Sequence, residues 1–246
     1  SIDGAIGRIW LNRPQCLNAL STETLRELAM AAHYFDSKEQ VRVVIVAGRG
    51  RAFSAGADLQ SFPQLSDPEL RSAADAGREM ADALEGMRAI SIAQIHGWCV
   101  GGGLVLAAAC DLRLAAEDAQ FSIPEIDLGI PLAWGGIPRL VREIGPALTK
   151  ELVITCRVFS TDEALRCGFL NRGVSWDQLE EASLALAEQI AAKPALPVFA
   201  TKQHANAVTA NMVGMNRSWS DADSLISGLV DPECKEARET YIQSKL

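Results

Sequence analysis

Apolar and polar positions along the chain switch their period several times. Ile6 to Leu11, Val43 to Ala47, Ile90 to Ile95 and Leu112 to Ala115 are apolar runs of strand length. Between them, Thr22 to Phe35 and Glu69 to Met87 carry the three-to-four-residue spacing of amphipathic helices. This alternation predicts parallel βα units. Asp67-Pro68 reads as a helix start, with Asp as cap and Pro at the first position. Ser160-Thr161-Asp162-Glu163 and Ser175-Trp176-Asp177-Gln178 read as two capping boxes, and Gly168 stands where the first of those helices should stop. The last third is therefore predicted to be mainly helical. Helices with nothing of their own to bury against cover the core or a neighbouring subunit, which predicts an oligomer.

The pattern breaks most sharply after Ile95, in the run His96-Gly97-Trp98-Cys99-Val100-Gly101-Gly102-Gly103, before an apolar helix begins. Glycines there let the backbone approach a ligand, and the first N–H groups of a helix have no intrahelical partner. The same glycines would also serve a helix packed tightly on a strand. A second loop of small residues, Arg51-Ala52-Phe53-Ser54-Ala55-Gly56-Ala57-Asp58-Leu59, follows the Val43 strand and favours the ligand reading. Two N–H groups from two strand-end loops suit a carbonyl oxygen that gains charge, each contributing about 3 kcal/mol. Ala57 and Gly102 are the candidate donors. The spacing is neither G-x-G-x-x-G nor G-x-x-x-x-G-K-[ST], which argues against a nucleotide phosphate loop.

Length and composition bound the rest. The 246 residues, 48% of them hydrophobic, fit one large domain or a domain with an appendage. A net charge of −8 argues against a nucleic-acid partner. A small anion remains compatible with basic residues such as Arg13, Arg49, Arg51, Arg139 and Lys202. No apolar run is long enough to span a membrane, so the expected setting is cytoplasmic with no membrane partner. The six cysteines are scattered without a C-x-x-C pair and the three histidines lie far apart, which predicts neither disulfides nor a metal centre. Ser54 lacks the first glycine of a nucleophile elbow and has no evident His or Asp partner.

Glu125 stands among Ile123, Pro124, Ile126 and Leu128. A carboxylate in apolar company has a raised pKa and useful basicity, although a surface turn with a salt bridge would use the same residue type. Asp127 could share a face with Glu125 if the segment were extended, but a turn or capping role is favoured.

Several motifs now align in order. They are Leu11-Asn12-Arg13-Pro14 with Asn18-Ala19-Leu20, Ala55-Gly56-Ala57-Asp58, Gly101-Gly102-Gly103, Cys110-Asp111, Pro124-Glu125 with Leu128-Gly129, Gly135-Gly136 with Arg139-Leu140, and Ala164-Leu165 with Gly168. Together they resemble the crotonase, or enoyl-CoA hydratase/isomerase, superfamily over nearly the whole chain. The resemblance implies an α/β fold, a ββα spiral with a mainly helical C-terminal region. Residues 1–190 would form the spiral core with the acyl-CoA site, and 191–246 a helical region for trimerisation and as a lid. It implies homotrimers or dimers of trimers, an acyl-CoA thioester as substrate, and no cofactor beyond the coenzyme A that the substrate carries. Ala57 and Gly102 would hold the thioester oxygen. Cys16, Leu17, Ala55, Asp58 and Leu59 would contact coenzyme A, and Trp98, Gly101, Val105, Pro124 and Trp134 would complete the substrate site.

One departure decides the expected chemistry. Hydratases of that family carry one catalytic Glu two residues after the third glycine and another in the Pro-Glu motif; here the first position is Val105 and only Glu125 remains. Losing one such group lowers rate by about 10² to 10⁴. The sequence therefore predicts an isomerase that moves a double bond through a thioester enolate, with Glu125 as proton shuttle. The alternatives are an atypical hydratase or lyase that recruits Glu143 or Asp127, and an acyl-CoA binder without turnover. Ala133 stands where the family's dienoyl isomerases carry an additional acid, which disfavours that variant.

Overall fold

A computed structural model of the protein describes residues 1–58, 67–215 and 220–244. Six strands form the main sheet in the order β1 (Ile2–Asp3), β2 (Ile6–Leu11), β3 (Val43–Gly48), β4 (Ile90–Ile95), β6 (Leu112–Ala116) and β9 (Arg172–Val174). All neighbours are parallel except β1 and β2. A smaller sheet joins β5 (Trp98–Val100), β7 (Gln120–Ser122) and β8 (Phe159–Ser160).

The chain visits both sheets in turn. β4 runs through His96 and Gly97 into β5 and then α3 (Gly102–Ala108); β6 runs into β7 and later α4 (Gly136–Thr155). The β3 strand is followed by Ser54, which bridges to Cys99 beside the small sheet, and further on by α2 (Asp67–Gly86). Each turn thus contributes two extended segments and a helix, which is a ββα spiral.

Burial on both faces explains why β3 reads as an unbroken apolar run rather than an alternating one. Val44 and Val46 face the main core, whereas Val43 and Ile45 face a second cluster. On the main side, α1 (Thr22–Asp36) buries Leu25, Leu28, Ala32 and Phe35, and the Ser21 hydroxyl caps it by accepting from the Thr24 amide. On the other side, α6 (Leu179–Ala191) covers the sheet with Leu179 and Ala187. The remaining helices are α5 (Thr161–Arg166), α7 (Ala195–Met212), α8 (Asp221–Val230) and α9 (Pro232–Gln243). Leu225 and Ala222 of α8 pack on Ala74 of α2, Leu128 and Ile130.

The predicted strands and helices lie within a residue or two of their expected bounds, with local corrections. The expected cap of α2 at Asp67 adjoins residues outside the described ones. Ser160 caps α5 as expected, accepting from the Glu163 amide, but the Glu163 carboxylate turns away to Arg157. The second capping box does not form: Trp176 to Gln178 make a 3-10 turn and the Ser175 side chain caps nothing. Seating Leu179 in the outer core delays the helix by three residues. The α4 helix is interrupted at Gly145 (φ 76°, ψ 165°), ahead of Pro146, whose missing N–H makes the break inexpensive.

Candidate active site

The loop after β3 fixes its amides one by one. Ser54 N–H donates to Trp98 O, Ala55 N–H to Leu17 O, Gly56 N–H to the Ser54 hydroxyl and Asp58 N–H to Leu20 O. Ala57 N–H alone of these five has no acceptor among the described residues. Its direction follows from the parallel bridge between Leu20 and Ala57, where Leu20 bonds Gly56 O and Asp58 N. In that pairing the central residue turns its own N–H away from the partner strand.

The start of α3 supplies the facing group. Gly101 N–H donates to Ser122 O, and Leu104 and Val105 both donate to Gly101 O. Gly102 N–H, in the first turn, donates to no acceptor among the described residues. The two loops approach so closely that a methyl on Gly56 would come within 2.7 Å of Val100 O and 3.3 Å of the Gly102 nitrogen. The α3 helix has only seven residues, so amide orientation rather than a long helix dipole defines this point.

Asn18 and Ser54 hold that arrangement, and the sequence reading did not assign either a structural role. The buried Asn18 side chain donates to Arg49 O and Ala52 O, both at 2.8 Å, and accepts from Arg13 N–H. The Ser54 hydroxyl donates to Asn18 O, so it is a strut rather than a nucleophile.

Glu125 reaches the same cleft from a turn, in which Leu128 N–H donates to Pro124 O and Ile130 N–H to Glu125 O. The side chain is buried, and Oε2 has no hydrogen-bond partner among the described residues. Burial raises its pKa from 4.5 to about 7, opposed only by a bond from its own backbone. Gly101 (φ +50°) lies against the carboxylate: an added Cβ would stand 2.3 Å from Oε1. A carboxyl titrating near neutrality thus sits beside the residue that precedes Gly102, whose amide is unpaired among the described residues.

The cleft holds about 320 Å³ counting its open mouth. Ala57, Gly102 and Glu125 share it with Val105, Ile130, Leu132, Trp134 and Leu225. Trp134 is 6% exposed and adopts a left-handed backbone (φ 61°), uncommon for a bulky residue. Leu225, which arrives from α8 across the chain, carries no signal in its local pattern.

Other expected residues fall elsewhere. Trp98 is not part of the cleft wall: β5 alternation buries Cys99 and leaves the Trp98 indole 42% exposed. Pro124 is buried behind Glu125 and does not line the cleft, and Gly101 touches the Glu125 carboxylate instead of forming part of the wall. Cys16, Leu17, Ala55 and Asp58 are not among the residues lining the cleft but are tied to one another: Ala55 N–H donates to Leu17 O, Cys16 N–H to Arg13 O, and Arg13 pairs with Asp58 at 2.8 Å. Leu59 lies outside the described residues. Asp127 does not share a face with Glu125, because the turn points it outward. Glu143 is bound to Arg113, remote from the cleft. Glu125 is the one acidic residue among the described residues that line it. Of the proposed anion-binding cations, Arg139 pairs with Asp82 and Glu85, and Lys202 with Asp111.

Comparison with known proteins matches residues 1–243 to the enoyl-CoA hydratase/isomerase family. A crotonyl-CoA hydratase from Syntrophomonas wolfei is 37% identical over 239 residues, covering 96% of this chain and 91% of that protein. A peroxisomal Delta(3,5)-Delta(2,4)-dienoyl-CoA isomerase from Arabidopsis thaliana is 36% identical over 214 residues, covering 81% and 77%. The crystal structure of an enoyl-CoA hydratase/isomerase from Mycobacterium paratuberculosis superposes with a TM-score of 0.90 at 27% identity, covering 98% of this chain and 96% of that one.

Proposed function

The chain belongs to the enoyl-CoA hydratase/isomerase family, and from that premise we propose that it shifts a double bond within an enoyl-CoA thioester, with Glu125 carrying the proton. The thioester oxygen lies between the Ala57 and Gly102 amides. Ionised Glu125 removes a proton from C2 of a 3-enoyl-CoA, and the electron pair moves through C1 onto that oxygen. The two N–H groups stabilise the resulting dienolate because they are already aimed at the charge before it forms. Glu125 then returns the proton to C4 as the C2–C3 double bond forms, giving the 2-enoyl-CoA with nothing gained or lost overall.

The observation that carries this reading is that, among the described residues, one buried and partly unpartnered carboxylate shares the cleft with two residues whose amides are unpaired. Hydration needs a group that activates water as well as a proton donor to carbon, and Val105 stands apolar and fully buried where a second carboxylate would help. Val105, Leu132 and Trp134 keep that side of the cleft dry, so the intermediate is reprotonated rather than hydrated. The coenzyme A portion runs along Cys16, Leu17, Ala55 and Asp58.

The test uses but-3-enoyl-CoA and follows the ultraviolet absorbance of the conjugated product. Turnover that falls by about 10² to 10⁴ in Glu125→Gln supports the assignment, and unchanged turnover removes Glu125 from it. Hydration is the second reading, favoured by relatives that are named hydratases. Formation of 3-hydroxybutanoyl-CoA from but-2-enoyl-CoA faster than isomerisation would establish it instead.

A further inference from the structure

Gly77 lies in the middle of α2, where glycine destabilises a helix by about 1 kcal/mol relative to alanine. The structure supplies a reason for it. A Cβ on Gly77 would come 2.2 to 2.3 Å from atoms of the Trp134 indole, and a Cβ on Gly102 would come 2.2 to 3.0 Å from other atoms of the same ring. The indole is therefore seated between two helices at positions where each lacks a side chain. It fills the space that separates α2 from the start of α3, directly beside the Gly102 amide.

The backbone that carries the ring is also held. Arg139 donates to Trp134 O at 3.2 Å and to Gly135 O at 3.3 Å, while Gly135 N–H donates to Asp221 Oδ2 at 2.7 Å. Trp134 and Gly135 are both left-handed, so this short segment keeps a conformation that it would not hold alone. An indole fixed in this way is a wall and not a flexible gate.

Given the acyl-CoA reading above, we propose that Trp134, seated between Gly77 and Gly102, ends the acyl pocket just beyond the reacting carbons and restricts the substrate to short-chain thioesters. The carbonyl position fixes one end of the acyl group beside Gly102, and the ring in contact with that same glycine sets how far the chain extends.

Calorimetric titration with saturated butanoyl-, hexanoyl- and octanoyl-CoA reads pocket length without depending on turnover. In an unobstructed apolar pocket each added methylene tightens binding about fourfold. The wild-type protein is expected to bind octanoyl-CoA no more tightly than butanoyl-CoA. Trp134→Ala is expected to bind octanoyl-CoA at least about tenfold more tightly than butanoyl-CoA. Should that variant not fold, Trp134→Leu carries the same test with a smaller opening. Affinity that climbs with chain length in the wild type, or an unaltered profile in the variant, overturns the wall while leaving the acyl-CoA reading intact. Failure of the wild type to bind any of the three thioesters overturns both.

Discussion

Glu125→Gln should stabilise the folded protein at neutral and alkaline pH while removing its turnover. Burial raises the carboxyl pKa from 4.5 to about 7, with Oε2 left without a partner among the described residues. Below the lower value the group is neutral in both folded and unfolded chains and carries no charge penalty. As pH rises from there, the unfolded chain ionises first. By pH 8 the folded chain must also hold a charged carboxylate in an apolar site, and the accumulated loss of stability is roughly 3 kcal/mol. A glutamine cannot ionise and lacks this slope. Its amide adds an offset that does not vary with pH, so the slope is the quantity to read. Urea unfolding of both proteins between pH 5 and pH 8 should show the variant gaining about 2 to 3 kcal/mol on the wild type across that interval. Parallel stability curves would refute the reasoning, because they would mean that the carboxyl is solvated or partnered in the folded state.

The same titration sets the activity profile. kcat/KM for the isomerisation should rise about tenfold per pH unit below pH 7 and level off above it, and a profile flat down to pH 5 would contradict a base with that pKa. Gly101→Ala places a methyl 2.3 Å from Glu125 Oε1 at φ +50°; it should lower kcat by about 10² or more through displacement of the carboxylate, as measured by steady-state kinetics. Lys202→Ala removes a buried ammonium that bonds Asp111 at 2.7 Å and Ala89 O at 3.0 Å. The loss should be about 3 kcal/mol of stability in chemical denaturation, with kcat unchanged because the pair is remote from the cleft.

Much of the architecture was legible because burial writes itself into residue type. The doubly covered β3 strand reads as Val43-Val44-Ile45-Val46-Ala47, and α1 reads as a stripe of Leu25, Leu28, Ala32 and Phe35. Glu125 was legible as an acid among aliphatic neighbours. Asn18 and Ser54 were not legible as struts, since their acceptors lie 31 to 36 residues away, on backbone that local pattern does not describe. Trp98 takes the exposed face of β5 while Cys99 is buried, and local pattern does not say which face of a three-residue strand a side chain takes. The Ser175 box failed because the packing of Leu179 outweighed a local capping preference.

Period and composition by themselves determined the order of strands and helices, the small-residue loops and the lone acid in the Pro-Glu turn, because each depends on neighbours within a few residues. Tertiary structure alone decided that Ala57 and Gly102, whose amides are unpaired among the described residues, line one cleft, that Asp127 points away from it, and that an indole occupies the gap left by two glycines. Those outcomes depend on segments brought together across the spiral, where hydrogen bonds and excluded volume act through space and not along the chain.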